Sequence, residues 1–198
     1  MGPEKTINYY EENAKVFASE TLYADMSSFY QPFLKEIKEG GLILDAGCGS
    51  GRDSLFFKKK GYEVEAMDAS KEMCKEAKKV LNQEVRCCFF EDLKEEEVYD
   101  GIWCCASLLH VKKDEMAMTL KHLLSTLKKG GIFYACWQKG SEERMVGERY
   151  YADYTKEQLE EMLKHVQGKE LLKFWESEDI LQDPPRTKIW MNIIMKKV

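Results

Sequence analysis

From about Gly40 onward the chain alternates short apolar runs with amphipathic stretches, and this alternation constrains the fold more than any other feature. Strands apolar on both faces must be covered on both, so the pattern predicts βαβ units around a mostly parallel sheet. The first run is Leu42-Ile43-Leu44-Asp45-Ala46, followed by a glycine loop and a helix ending in Lys58-Lys59-Lys60 before Gly61. Residues 62–67 read as a second strand, Ser70 can cap a helix running to about Leu81, and 84–90 read as a third strand. A fourth strand over 101–106 leads to a helix over 114–128, and Lys129-Gly130-Gly131 turns the chain into a fifth strand over 132–137. A helix over 155–166 and strands over 170–175 and 189–195 close the chain, with a turn at Asp183-Pro184-Pro185 before the last. The expected fold is a doubly wound, mostly parallel seven-stranded α/β sheet with helices on both faces and an antiparallel last strand.

A length of 198 residues with 44% apolar content suits one domain with a packed core. Residues 1–38 read as an N-terminal helical cap, 41–138 as a ligand-binding core, and 139–198 as a loop, a helix and the last two strands. Tyr9, Tyr10, Phe17, Tyr23, Phe29, Tyr30 and Phe33 are scattered through the cap, where they either pack on the sheet or form a lid over a ligand. The formal net charge of -5 repels phosphate backbones and anionic membranes, so neither nucleic acid nor a membrane is expected as a partner. Residues 1–10 lack a basic region followed by an apolar core, and the expectation is a soluble cytoplasmic protein. Seven cysteines in apolar runs, with no CxxC pair, read as thiols of a reducing compartment rather than as a metal site.

The most informative stretch is Asp45-Ala46-Gly47-Cys48-Gly49-Ser50-Gly51-Arg52, between the first strand and its helix. Gly47 and Gly49 permit a sharp turn and close approach of a ligand, while the following helix offers unpaired N–H donors. In the dinucleotide fingerprint a third glycine comes three places after the second, but that place holds Arg52 and the glycine stands at Gly51. Asp68 ends the second strand some 20 residues on, where an acid can accept ribose hydroxyls or simply cap the next helix. Phe89-Phe90-Glu91-Asp92-Leu93 follows the third strand, and Cys105-Ala106-Ser107-Leu108-Leu109-His110 follows the fourth.

These four ordered elements, with the Lys128-Lys129-Gly130-Gly131 turn into the fifth strand, resemble the class I S-adenosylmethionine-dependent methyltransferases over about residues 42–137. Nearest in texture are the small-molecule enzymes related to tellurite resistance and quinone biosynthesis. The resemblance implies S-adenosylmethionine as cofactor and S-adenosylhomocysteine as product. It assigns the cofactor's amino-acid part to Asp45, Ala46, Gly47, Gly49, Arg52 and Ala106, its ribose to Asp68, and its adenine to Asp92 and Leu93. Tyr10, Ala69 and Met73 join them as further cofactor contacts.

The implied reaction is an in-line displacement at the methyl carbon, in which positioning supplies much of the rate. An oxygen or nitrogen acceptor must lose a proton, and His110 is the candidate base, whereas His122 and His165 sit in amphipathic helices. Tyr9, Arg144, Arg149 and Tyr150 are the candidate acceptor contacts, with the arginines suited to a small acceptor that carries negative charge. A monomer or a homodimer is expected. Two alternatives stay open: an NAD(P)-dependent oxidoreductase, disfavoured by Arg52, and a module that binds S-adenosylmethionine without catalysis.

Overall fold

The computed structural model describes residues 3–180 and 188–198; the Asp183-Pro184-Pro185 turn lies outside them. Two helices, α1 (Pro3–Thr21) and α2 (Ser27–Leu34), precede β1 (Leu42–Ala46), α3 (Arg52–Lys59), β2 (Glu63–Asp68), α4 (Lys71–Leu81), β3 (Arg86–Cys87) and β4 (Tyr99–Cys104). Then come α5 (Lys113–Thr126), β5 (Leu127–Gln138), β6 (Glu143–Val146), β7 (Arg149–Ala152), α6 (Lys156–Lys164), β8 (Lys169–Glu178) and β9 (Ile189–Lys197). Seven strands form one sheet in the order β3-β2-β1-β4-β5-β9-β8, and β9 runs antiparallel to both its neighbours. The strand order therefore reverses between β1 and β4, which is where a doubly wound sheet leaves a crevice beyond its strand ends.

Alternation along the strands explains the two cores. Leu44, Ile102 and Phe133 face one side with Leu120 and Leu123 of α5, while Ile43, Trp103 and Tyr134 face the other with Phe33 of α2 and Phe57 of α3. On that second side Trp103 and Tyr134 stack at 3.8 Å between centroids. Gly101 admits α2, since a Cβ there would lie 2.4 Å from Ile37 and 2.9 Å from Phe33.

Local signals set several boundaries. Ser70 caps α4 by accepting the Met73 N–H at 3.2 Å, and Thr155 with Gln158 forms a reciprocal capping box at α6. Two segments differ from the sequence expectation. The third strand is only two residues long because β3 has a single neighbour and Asp92 takes the Phe89 N–H at 2.9 Å, winding 90–92 into a tight turn. The segment after β5 is a β-hairpin, β6 with β7, rather than a loop.

Candidate active site

A cavity of about 390 Å3 opens beyond the carboxyl ends of β1, β2 and β4, within the usual size of a ligand site. Its floor is the β1–α3 loop. Gly47 and Cys48 donate their N–H groups to the Met67 carbonyl, both at 2.9 Å, and bind the loop to β2. Gly47 has φ +85°, and a Cβ there would meet the Ser107 Cβ at 2.3 Å, so only glycine brings this loop so close to the end of β4. Ser107 secures the approach by donating to the Ala46 carbonyl at 2.7 Å.

Asp68 lies at the side of the floor, accepting from the Gly49 N–H at one oxygen and from the Ser70 N–H at the other, each at 2.9 Å. Burial raises its carboxyl above the ordinary aspartate value, against the pull of these N–H groups. Gly47, Gly49, Arg52, Ala69, Met73 and Ala106 line the cavity beside it. Arg52 is committed inside the protein: Nε and Nη2 donate to Asp53 at 2.6 and 3.0 Å. Asp53 also accepts from the Tyr30 hydroxyl and Trp103 Nε1, and although burial opposes it, these partners hold its carboxyl below the usual range.

Four expected cofactor residues do not line the cavity. Asp45 sits behind the loop, accepting from Ser54 N–H at 3.0 Å and Ser54 Oγ at 2.6 Å. Burial, then the neighbouring Asp53 charge, pushes its carboxyl well above the usual aspartate range. Ala46 is fully buried under the loop. Asp92 turns back to cap the Phe89 N–H, and Leu93 points into the core with no exposed surface. Phe89, Phe90 and Glu91 take the places at the cavity wall.

The opposite wall is built by α1 and the hairpin. His110 is held at both ring nitrogens: Nδ1 donates to the Tyr150 carbonyl at 2.6 Å, leaving Nε2 to accept from the Tyr10 hydroxyl at 3.1 Å. Burial, with Arg149 nearby, lowers the histidine to about 4 despite that carbonyl. The Tyr10 hydroxyl is raised, chiefly by burial. Arg149 lies 4.6 Å above the Tyr9 ring and 5.6 Å above Tyr151, and its buried Nε has no partner among the described residues. Tyr10, His110 and Arg149 line the cavity, whereas Tyr9, Arg144 and Tyr150 support it from behind. Arg144 is occupied by Asp153 and by the Gln138 side chain at 2.7 Å, and the Tyr150 hydroxyl bonds Glu143.

Thus α1 provides cavity wall through Thr6, Ile7, Tyr10 and Phe17, the lid reading of its aromatics, while Tyr30 and Phe33 of α2 pack in the core. Thr6 Oγ1 accepts the Tyr150 N–H at 2.9 Å, and Glu11 accepts the first N–H groups of α4, from Lys71 and Glu72. The sequence reading missed Tyr151, Gln138, Trp190 and Asn192, all at the cavity. Trp190 and Asn192 share one face of β9, which period-two spacing within that strand could have signalled. Among the described residues no group of three or more His, Cys, Asp or Glu side chains could hold a metal, and no helix is long and apolar enough to cross a membrane.

Comparison with known proteins agrees with this geometry. Residues 43–131 match the model of the methyltransferase domain family. A putative methyltransferase of Bacillus subtilis is 30% identical over 130 residues, a stretch covering 62% of this chain and 53% of that protein. The chain thus spans about half the length of this curated relative. Among solved structures, 1,6-didemethyltoxoflavin-N1-methyltransferase of Burkholderia thailandensis, bound to 1,6-didemethyltoxoflavin and S-adenosylhomocysteine, superposes with a TM-score of 0.76 at 20% identity, covering 99% of this chain and 87% of that one. Magnesium protoporphyrin IX methyltransferase of Synechocystis PCC 6803, with bound S-adenosylmethionine, gives 0.71 at 18% identity, covering 98% and 97%. Over residues 43–131 the chain is thus similar to the methyltransferase domain family, and its seven-stranded sheet shares the fold of these two solved methyltransferases.

Proposed function

We propose that the protein transfers the methyl group of S-adenosylmethionine to a small-molecule acceptor by in-line displacement. The observation that carries this reading is the meeting of Asp68 with the Gly49 N–H at the cavity, which joins the glycine floor to an acid at the end of the next strand. When bound, the cofactor supplies an electrophilic methyl group on a sulfonium. Asp68 would accept the ribose hydroxyls with its remaining lone pairs, Gly47 and Gly49 would admit the cofactor's amino-acid part, and Phe89 and Phe90 would flank the base.

An acceptor carrying a carboxylate or phosphate fits the unpartnered Nε of Arg149. Since Tyr10 occupies Nε2 of His110, a proton from the acceptor would reach the histidine through the Tyr10 hydroxyl. The division into a cap over 1–38, a donor core over 41–138 and an acceptor side over 139–198 is part of the same proposal. Both enzymes described above are named for small-molecule acceptors, which supports the small-molecule class and not its charge.

Calorimetry against S-adenosylmethionine, S-adenosylhomocysteine and NAD tests the donor half. The first two are expected to bind and NAD is not, and Asp68→Ala should weaken both by at least tenfold, consistent with loss of a charge-assisted bond of about 1.5–3 kcal/mol. Tight NAD binding overturns the assignment in favour of an oxidoreductase, and binding without turnover across a broad acceptor panel favours a non-catalytic module.

A further inference from the structure

Two cysteines stand together in the cavity wall, and the proposed methyl transfer uses neither. Cys104, the last residue of β4, is in register with Ala135 of the parallel neighbour β5, which brings Cys105, one residue past the end of β4, beside Cys136. Such strands lie about 4.8 Å apart, and side chains at matching positions point the same way. Both residues line the cavity, close enough for each thiol to shift the other's acidity. An N–H donor reaches each sulfur. The Ala106 N–H donates to Cys136 Sγ at 3.2 Å, and Arg52 Nη2 points at Cys105 Sγ from 3.7 Å.

The arrangement is polarised in one direction. The interaction between the two thiols draws Cys136 below its ordinary value against the cost of burial and, together with burial, raises Cys105. Ala106, between Cys105 and the Ser107 anchor, holds φ +55°, an uncommon conformation for a residue with a side chain. The backbone that aims the pair is therefore fixed by Gly47, Ser107 and the Cys136 contact together.

We propose that Cys105 and Cys136 form a dithiol site, opening into the cavity, for a thiophilic electrophile that accepts two sulfurs on one atom, such as a monosubstituted trivalent arsenical. With phenylarsine oxide as probe, each thiol loses its proton and forms one arsenic–sulfur bond, and the oxide oxygen leaves with both protons as one water. No electron is transferred. Two adjacent sulfurs favour such a ring, because the second bond forms within a single molecule at high effective concentration. Capture does not depend on the identity of the methyl acceptor.

Intact-protein mass spectrometry of the full chain treated with one equivalent of phenylarsine oxide should show one phenylarsenic group gained and two hydrogens lost. Peptide mapping should place it on Cys105 and Cys136. The adduct should survive excess glutathione and be removed by ethanedithiol. Cys105→Ser and Cys136→Ser should each lower the adduct at least tenfold, while Cys87→Ser should leave it unchanged. Cys87 is the exposed partner of the Cys74 thiol, the competing pair on β3 and α4. Prior saturation with S-adenosylhomocysteine should slow capture at least tenfold. An adduct mapping to Cys74 and Cys87, no adduct at all, or capture in either serine variant equal to that of the wild type overturns the proposal. So does unchanged capture when S-adenosylhomocysteine is shown by calorimetry to be bound. Failure of S-adenosylhomocysteine to bind would instead count against the cofactor reading and leave the mapped adduct as the deciding result.

Discussion

The two walls of the cavity are made in opposite ways. On the donor side, Gly47, Gly49, Asp68 and Ser70 come from one continuous stretch of βαβ, and their bonds are short-range or between neighbouring strands. On the acceptor side, Thr6 and Tyr10 of α1 meet His110 and Tyr150, residues 100 to 144 positions away in the chain. Adjacent sheet strands, with the Asp68 and Ser107 side chains, specify the first wall, whereas the second exists only when the N-terminal helix has docked. Substitutions in the floor should therefore act on ligand binding and stability together, and substitutions in the lid on the closed state with smaller cost.

The largest effect is expected for Gly47→Ala. An alanine at φ +85° with its Cβ 2.3 Å from that of Ser107 should cost about 4 kcal/mol, combining strain and overpacking, and abolish S-adenosylhomocysteine binding. Urea unfolding and calorimetry read both; a variant with an unchanged midpoint would show that the floor is not as rigid as the distances say.

Next comes acid. His110 has a folded value of about 4 against an ordinary 6.5, so between these limits the unfolded chain binds more protons. This contribution is complete above pH 6.5 and is lost as the pH falls to about 4, amounting to on the order of 3 kcal/mol. Comparing wild type with His110→Gln by chemical denaturation at pH 7 and pH 4.5 isolates it, and parallel pH curves for the two proteins would refute the buried neutral imidazole.

Arg144→Ala should cost about 2 kcal/mol by leaving the buried Asp153 carboxylate without its cation, a loss visible as a lower urea midpoint. S-adenosylhomocysteine affinity should stay within about threefold, since 1.4 kcal/mol corresponds to tenfold and Arg144 lies outside the cavity. A loss beyond tenfold would mean that the hairpin carries donor binding as well.

The smallest effect is expected for Thr6→Val, which removes the acceptor for the Tyr150 N–H and should cost about 1 kcal/mol. Hydrogen exchange should then rise at Tyr150 and through α1 while the floor at Gly49 stays protected; equal exchange in both walls would erase the contrast between them.

The same contrast explains what could be read from the chain. The strand pattern, the Ser70 cap and the Gly47-to-Asp68 assembly follow from local periodicity and turn chemistry, and the antiparallel last strand follows from two strands with a short connection. The resemblance assigns the adenine to Asp92 and Leu93, but β3 ends at Cys87, Asp92 turns back to the Phe89 N–H and Leu93 is fully buried, a local winding that the strand pattern does not signal. The hairpin was hidden because β6 is polar: Arg144 meets Asp153 and Gln138, and Glu143 meets Tyr150 and Lys113, only once the chain has folded. Nothing in sequence spacing links Tyr10 to His110, since docking of α1 alone creates that bond.

One carboxylate has a consequence for which nucleotides the cavity admits. Glu11 receives the N–H groups that open α4, directly after Asp68 and Ser70, where the positive end of a helix attracts anions. A phosphate attached to the ribose would compete there with an acid of the protein's own lid and would meet its charge at close range. If Asp68 holds a ribose as proposed, that charge disfavours a phosphorylated one and favours an unphosphorylated ribose.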